Sequence, residues 1–218
     1  MPEILTEIEA RVLGSLVEKQ LTTPEYYPLT LNALVNACNQ KNNREPVVSY
    51  DETTVTRALE ELRDRNLVYV FYGSTSRVPK YKHMLPSVYE LEPPETAVMS
   101  VMMLRGSQTL GELRTRTERL YNFSGLGEVQ ETLDGLIRRE DPLVVRLPVQ
   151  PGQKEARFAH LLSGPIDIEA LAATQATRST RGGADSERVE KVEEEVAGLR
   201  AEIESLKQTF DEFKKQFE

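Results

Sequence analysis

The apolar and polar positions in the first ninety residues predict three helices followed by a β-hairpin. The predicted elements are helices at 6–20, between Thr30 and Asn39, and at 51–65, and strands at 67–72 and 81–85. Within each helix apolar side chains recur every three or four positions, which gives it one face for a core. Thr6, with Glu9 three residues later, has the pattern of a capping box, and Thr30 is the expected N-cap of the second helix.

The same order of elements recurs in the next seventy residues. Val98, Met99 and Met102 stand 86 positions after Val12, Leu13 and Leu16, and TLGEL at 109–113 stands 79 positions after TLNAL at 30–34. A third set, Val129, Leu133 and Leu136, stands 74 positions after Val55, Leu59 and Leu62, and strands near 143–145 and 156–161 complete the series. We therefore predict two tandem copies of one small fold.

Three short helices closed by a hairpin are typical of a winged-helix domain, in which the second and third helices form a helix-turn-helix. Other small α+β domains have a similar order of elements. The predicted fold class is mainly α with small β-hairpins (α+β), with two tandem winged-helix domains and a C-terminal coiled-coil helix. The predicted boundaries are domain one at 1–88, domain two at 89–164, a flexible linker at 165–186 and the coiled-coil helix at 187–218.

Three segments closely resemble the bacterial YceH-like family: TEIEARVLGSLVEK, TPEYYPLTLNALVNACNQKNNREPV and ALEELRDRNLV. The resemblance covers about residues 4–163, and the NACNQKNNREPV stretch is specific to it. It implies two winged-helix domains, in agreement with the repeat. The resemblance does not indicate what activity the protein has, and it identifies no catalytic or binding residues.

The last thirty residues have an uninterrupted heptad pattern. Its apolar positions are Val189, Val192, Val196, Leu199, Ile203, Leu206, Phe210, Phe213 and Phe217. β-Branched residues at a with Leu at d favour a parallel dimer, and oppositely charged residues occupy the flanking e and g positions. The pattern predicts a homodimer through a parallel coiled coil. The alternative is an amphipathic helix that folds back on its own domains.

Composition narrows the function classes. The chain has 218 residues, a net charge of −8, one Cys and two His, so an internal disulfide and a Cys/His zinc site are both excluded. No P-loop, GxGxxG, GxSxG or HExxH motif is present, so we expect no enzyme, no cofactor and no metal. With no signal peptide and no long apolar run, we expect a cytoplasmic protein that does not enter the membrane.

Double-stranded DNA is the predicted partner of domain one. The candidate contacts, in the loop before the third helix, on that helix and in the wing, are Lys41, Asn42, Asn43, Arg44, Thr53, Thr54, Arg57, Arg77, Lys80 and Lys82. Arg and Thr read base edges or bind phosphate, and the third helix of a helix-turn-helix enters the major groove. Acidic residues on the same helix, such as Asp51 and Glu61, oppose this interpretation because they repel phosphate.

Domain two is predicted to contact a partner protein or to pack against the other domain, since its third helix is acidic. The alternative function is accordingly an adaptor whose winged helices dock partner proteins. His83 and His160 are expected at surface or half-buried strand positions, and Cys38 as a small buried thiol. Seven of the eight tyrosines lie in residues 1–90, where they either pack or stack on a partner.

Overall fold

The described part of the chain consists of helices and small antiparallel sheets, arranged in the predicted order twice. The computed structural model describes residues 4–72, 78–149 and 153–166. The elements are α1 (Glu7–Thr22), a 3-10 turn (Pro24–Tyr26), β1 (Leu29–Thr30), α2 (Leu31–Cys38), α3 (Glu52–Asp64), β2 (Val68–Phe71), β3 (Lys80–His83), α4 (Leu85–Tyr89), α5 (Pro93–Arg105), α6 (Leu110–Thr117), α7 (Leu126–Ile137), β4 (Val144–Leu147) and β5 (Arg157–His160). We call Glu7–His83 the first repeat and Pro93–His160 the second repeat.

The predicted helix caps are confirmed. The N–H of Glu9 donates to the Thr6 hydroxyl at 3.2 Å, and the Thr6 N–H donates back to the Glu9 carboxylate at 2.6 Å. Thr30 accepts from the N–H of Ala33 at the start of α2. Local hydrogen bonds of this kind are visible in sequence because both partners lie within one turn.

The two sheets differ in size. In the first repeat β3 is central, with β1 on one side and β2 on the other, whereas β4 and β5 form a two-stranded sheet. Both hairpins are antiparallel and have matching registers, since Val68 pairs with His83 and Val144 pairs with His160. The mixed α+β class is therefore confirmed, while β1 and α4 are additions that the apolar pattern does not reveal.

Helices α1 and α5 pack against each other at the centre, and this contact joins the repeats. Every residue from Glu9 to Glu18 is buried, and so is every residue from Thr96 to Leu104. The approach is closest at Gly14, where an added Cβ would lie 3.0 Å from the Met103 Cβ. The Ser100 hydroxyl donates to the Gly14 carbonyl at 3.3 Å. These two residues stand 86 positions apart, so equivalent points of the two repeats meet.

An ion pair links the start of the first helix to the end of the third helix in the first repeat. The Arg65 guanidinium lies 3.4 Å from the Glu9 carboxylate and donates to the Ile4 carbonyl at 3.1 Å. It therefore holds the chain entering α1 against the chain leaving α3.

The second repeat has the same ion pair at the corresponding positions. Arg139, 74 residues after Arg65, lies 3.0 Å from the Glu95 carboxylate and donates to the Glu90 carbonyl at 3.1 Å. Glu95 and Glu90 stand 86 residues after their counterparts. The offsets that apolar residues show in the sequence thus extend to a polar contact.

Two sets of sequence predictions fall on residues that the structure does not describe. The nine heptad positions from Val189 to Phe217 lie outside the described residues, as do most of the linker and Arg77. Within the described ranges, none of the helices has the length and apolar character needed to cross a membrane.

Candidate nucleic-acid interface

The link between α2 and α3 is closed by one asparagine side chain. The Asn39 amide donates to the Tyr50 carbonyl and accepts from the Tyr50 N–H, both at 2.8 Å. Because these bonds join residues eleven positions apart, the intervening polar loop, residues 40–49, starts and ends beside α3. Asp51 then caps α3 by accepting from the Thr54 N–H at 2.8 Å, and the bonds from Thr54 hold the pKa of Asp51 below its usual value.

The first turns of α3 present polar side chains to solvent. Its inward face is formed by Val55, Ala58, Leu59 and Leu62, all buried. Thr53 and Arg57, four residues apart on the other side, are exposed, and Thr54 is half-buried beside the cap. The helix period therefore places one hydroxyl and one guanidinium on the same outer surface.

The loop at 40–49 is attached to the second repeat. Lys41, Asn42 and Asn43 are exposed, but the Asn43 side chain accepts a hydrogen bond from the Arg105 guanidinium at the end of α5. The backbone of Asn43 is left-handed, with φ of 62°. The N–H of Glu45 donates to the Leu104 carbonyl at 2.9 Å. Part of this loop therefore serves to join the repeats, which sequence spacing did not indicate.

Arg44 is wrongly placed by the sequence prediction, because it lies in the interior with only 5% of its surface exposed. Its guanidinium donates to both carboxylate oxygens of Glu18, at 3.0 and 2.7 Å, and to the Ala37 carbonyl near the end of α2. Burial acts to raise the pKa of Glu18, but the bonded guanidinium of Arg44 outweighs it, and the pKa is lowered. Arg44 is thus a structural anchor for the loop and is not available to DNA.

Lys80 and Lys82 lie on the outer face of the three-stranded sheet. Lys80 is half-buried and Lys82 is exposed. Their cross-strand partners on β2 are Phe71 and Tyr69, which are also exposed. Directly paired residues of antiparallel strands lie on the same side of a sheet, so these four side chains form one surface. We call it the aromatic–lysine face.

The sequence places most tyrosines in residues 1–90, but its patterns did not predict an aromatic pair on this surface. The signal that could have found it is the alternation in Tyr69-Val70-Phe71 and Lys80-Tyr81-Lys82. A period of two sends the odd members of β2 and the even members of β3 to the same side, provided that the strand register is known.

Of the two histidines, His160 is half-buried as expected, whereas His83 is not. His83 is buried, and neither ring nitrogen has a hydrogen-bond partner within the described part of the chain. Burial lowers the pKa of His83 to about 4, with a smaller contribution from the neighbouring charge of Lys82. His160 is half-buried at the corresponding position, and burial lowers its pKa to about 4 as well. Both side chains are therefore neutral at pH 7.

Cys38 is a buried thiol, as predicted, and burial raises its pKa. Its Sγ is therefore protonated at neutral pH and poorly nucleophilic. Among the described residues, no group of three or more His, Cys, Asp or Glu side chains is arranged to hold a metal ion.

The acidic third helix of the second repeat uses one of its acids locally. Glu128 accepts hydrogen bonds from the Ser124 N–H at 2.7 Å and from the Tyr121 hydroxyl at 2.8 Å.

On α6, Arg116 lies 3.3 Å from Glu112, and Arg157 of β5 lies 2.8 Å from the same carboxylate. These hydrogen bonds and ion pairs occupy Glu128, Glu112, Arg116 and Arg157 within the repeat.

Comparison with known proteins gives a family and several full-length relatives. The family model described as "Protein of unknown function, DUF480" matches residues 5–153. A UPF0502 protein of Geotalea uraniireducens is 51% identical over 216 residues, which is 98% of each chain. A UPF0502 protein of Opitutus terrae is 57% identical over 166 residues, covering 76% of this chain and 72% of the relative. A UPF0502 protein of Vibrio atlanticus is 48% identical over 212 residues.

Proposed function

This chain belongs to the DUF480 family, and we propose that it is a non-enzymatic, regulatory protein that binds double-stranded DNA through its first repeat. In this proposal each repeat is a winged-helix domain, with α2 and α3 as a helix-turn-helix and β2–β3 as the wing. The proposal is supported above all by the Asn39–Tyr50 bridge, which brings the polar loop to the start of α3. Exposed Thr53 and Arg57 lie in the first two turns of α3, which in this proposal is the helix that enters the major groove. Exposed Lys41 lies in the loop that the bridge closes.

The roles of the exposed side chains follow from their chemistry. Arg57 has the geometry to donate two hydrogen bonds to a guanine edge, and the Thr53 hydroxyl binds a base edge or a phosphate. Lys41, Lys80 and Lys82 are point charges for the phosphate backbone on either side of the groove. Asp51 opposes phosphate, but it is already occupied as the cap of α3.

The small number of cations sets the expected salt dependence. Three lysine–phosphate contacts correspond to a slope of about −2.7 in log affinity against log salt. Between about 50 and 200 mM salt, the affinity for a random-sequence duplex should therefore fall about 40-fold. A single first repeat binds weakly on this basis. In the proposal, self-association through the heptad positions of 189–217 brings two first repeats to one duplex.

The test is fluorescence anisotropy of the full chain with a labelled duplex at both salt concentrations. Lys41→Gln should reduce the salt slope by about 0.9, and Arg57→Ala should lower affinity mainly for a preferred sequence. Lys154→Gln is the matched control, since Lys154 is an exposed lysine of the second repeat. Equal slopes for Lys41→Gln and Lys154→Gln would contradict the proposed surface.

A protein-docking adaptor is the second candidate function. It is favoured by α7, on which Glu131 and Leu126 are both exposed. An exposed carboxylate repels phosphate, and an exposed apolar side chain suits a protein partner. Undetectable duplex binding at about 50 mM salt would favour this candidate over the first.

A further inference from the structure

We propose that the aromatic–lysine face stacks unpaired bases, so that the substrate of the first repeat is DNA with a single-stranded segment beside a duplex. The inference rests on the proposed function in one respect, namely that the ligand is DNA. It adds a second contact surface and a chemical class of substrate, which the duplex contacts of α3 do not require.

The geometry of the face comes from the strand register. Tyr69 pairs with Lys82, and Phe71 pairs with Lys80, across antiparallel strands. Paired Cβ atoms in such a ladder lie about 4.5–5.5 Å apart, and alternate residues along a strand lie about 6.8 Å apart. The Cβ atoms of these four residues therefore form a small rectangle, with the two aromatic side chains along β2 and the two lysine side chains along β3.

Exposure shows that the two rings do not belong to the core. Tyr69 is 60% exposed and Phe71 is 46% exposed, whereas Val68 and His83 on the opposite side of the sheet are buried. One exposed apolar residue on a protein surface requires no explanation, but two adjacent rings on one strand form a contiguous apolar patch.

The lysines indicate what covers this patch. Within residues 4–72, 78–149 and 153–166, no ion pair involves Lys80 or Lys82, and the face itself contains no carboxylate. A flat surface that combines aromatic rings with cations is complementary to a nucleic-acid single strand, whose bases stack on the rings while its phosphates meet the ammonium groups. Paired bases of an intact duplex are already stacked on one another and cannot reach the rings.

The second repeat shows that the fold does not require such a face. The equivalent positions are Val145, Leu147, Arg157 and Ala159, since β4 and β5 have the same register. Leu147 and Ala159 are buried, and Arg157 is paired with Glu112. The exposed rings and unpaired lysines are therefore a property of the first repeat alone within the described hairpins.

The decisive experiment compares three labelled DNAs with the full chain: a 20-nucleotide oligo(dT), a blunt duplex and a duplex with a single-stranded overhang. One base stacked on an aromatic side chain corresponds to about 5- to 150-fold in affinity. Tyr69→Ala/Phe71→Ala should therefore weaken oligo(dT) and overhang binding by at least about tenfold, with less than about threefold change for the blunt duplex. Tyr26→Ala is the matched control, because Tyr26 is 73% exposed in the 3-10 turn, outside the sheet.

A second variant reports the stacking contact directly. The chain has no Trp, so Phe71→Trp introduces a single indole on the face. Its fluorescence should be quenched when oligo(dT) binds and should not respond to the blunt duplex. Circular dichroism of each variant establishes that it is folded before binding is measured.

The outcomes separate the two proposals. Blunt-duplex binding without oligo(dT) binding, or oligo(dT) binding that the double variant leaves unchanged, overturns the stacking face while the duplex proposal stands. Oligo(dT) binding that depends on the two rings, without blunt-duplex binding, supports the stacking face and overturns the duplex proposal. Absence of binding to all three DNAs overturns both.

Discussion

The two hairpins have the same strand register, but their outward-facing side chains are mostly exposed in the first hairpin and buried or half-buried in the second. In both, a valine opens the first strand and pairs with a buried or half-buried histidine that closes the second. On the outer side the first hairpin exposes Tyr69 and Phe71, whereas the second places Leu147 in the interior. The inward side of a hairpin must fit the helices beneath it, whereas its outer side is free to take on a binding role. The difference therefore distinguishes the side chains that hold the repeat together from those open to another use.

The loops before the third helices differ in the same way. In the first repeat Arg44 and Glu18 form a largely buried ion pair, in which the Arg44 side chain is fully buried and the Glu18 side chain is 11% exposed; Lys19 lies 3.3 Å from the same carboxylate. In the second repeat the position of Glu18, 86 residues later, is taken by the apolar Leu104. The loop of the first repeat is thus anchored by an ion pair whose carboxylate has no counterpart at the corresponding position of the second repeat.

The largest expected effect tests this difference. Arg44→Met should lower the free energy of unfolding by about 3 kcal/mol, because it removes both hydrogen bonds from Arg44 to the largely buried Glu18 carboxylate and leaves only Lys19, 3.3 Å away, to compensate its charge. Urea denaturation measures the loss, with Lys41→Met, an exposed substitution, as a control that should change stability by less than about 0.5 kcal/mol. Glu18→Leu/Arg44→Met, which makes the first repeat resemble the second, should recover most of the stability. A double variant as unstable as Arg44→Met would mean that the ion pair itself is required.

The next effect concerns how the free energy of unfolding depends on pH through the two equivalent histidines, His83 and His160. The pKa of His83 is lowered from 6.5 to about 4 in the folded protein. Between these two pH values the unfolded chain therefore binds a proton at His83 and the folded chain does not. The stability contributed by neutral His83 is present above pH 6.5 and is lost as the pH falls toward 4, by about 3 kcal/mol. His83→Phe removes this loss, so the variant should gain stability over the parent as the pH is lowered.

The second repeat provides the comparison for that prediction. Burial lowers the pKa of His160 to about 4 as well, so His160→Phe should give a pH-dependent gain in stability of similar size. Thermal unfolding of the parent and both variants between pH 7 and 4 measures the two effects. Parallel stability curves for the parent and His83→Phe would show that His83 does not titrate in this range.

The smallest expected effect comes from a substitution that makes the two central helices, α1 and α5, more alike. Gly14 and Ser100 are equivalent residues, but a Cβ on Gly14 would lie 3.0–3.2 Å from Met103 and Leu104. Gly14→Ser should therefore lower the free energy of unfolding by about 1–2 kcal/mol, since overpacking exceeds the gain in helix propensity. Ser100→Ala, which loses only the bond to the Gly14 carbonyl, should cost about 1 kcal/mol. Unchanged urea midpoints for Gly14→Ser would show that the helices separate at little cost.

Much of the local structure could be predicted because its causes are local. The caps at Thr6 and Thr30 depend on partners three residues away, and the apolar periodicity of α1, α3 and α7 depends on single faces. The repeat was visible for the same reason, since each copy needs its own inward set. The DNA-binding role, the winged-helix assignment and the heptad dimer remain predictions.

The candidate site could be predicted only in part. Lys41, Thr53, Arg57 and Lys82 are exposed, as a binding role needs, but Arg44 is not. In sequence Arg44 looks like its neighbour Lys41, because nothing within a few residues marks it as buried. Its partner Glu18 lies 26 positions away, on a helix whose charged residues look like a solvent face until α5 covers them.

By itself, then, the sequence determined the order and inward faces of the main helices and hairpins, since periodicity and capping are properties of neighbouring residues. The tertiary structure alone decided which charged residues are inside and which rings are outside. Long-range ion pairs accompany the burial of Glu9 beside Arg65 and of Glu18 beside Arg44, and strand register placed Tyr69 and Phe71 beside two lysines. Both results depend on contacts between residues distant in the chain, where a polar side chain enters the interior only if its partner is already there.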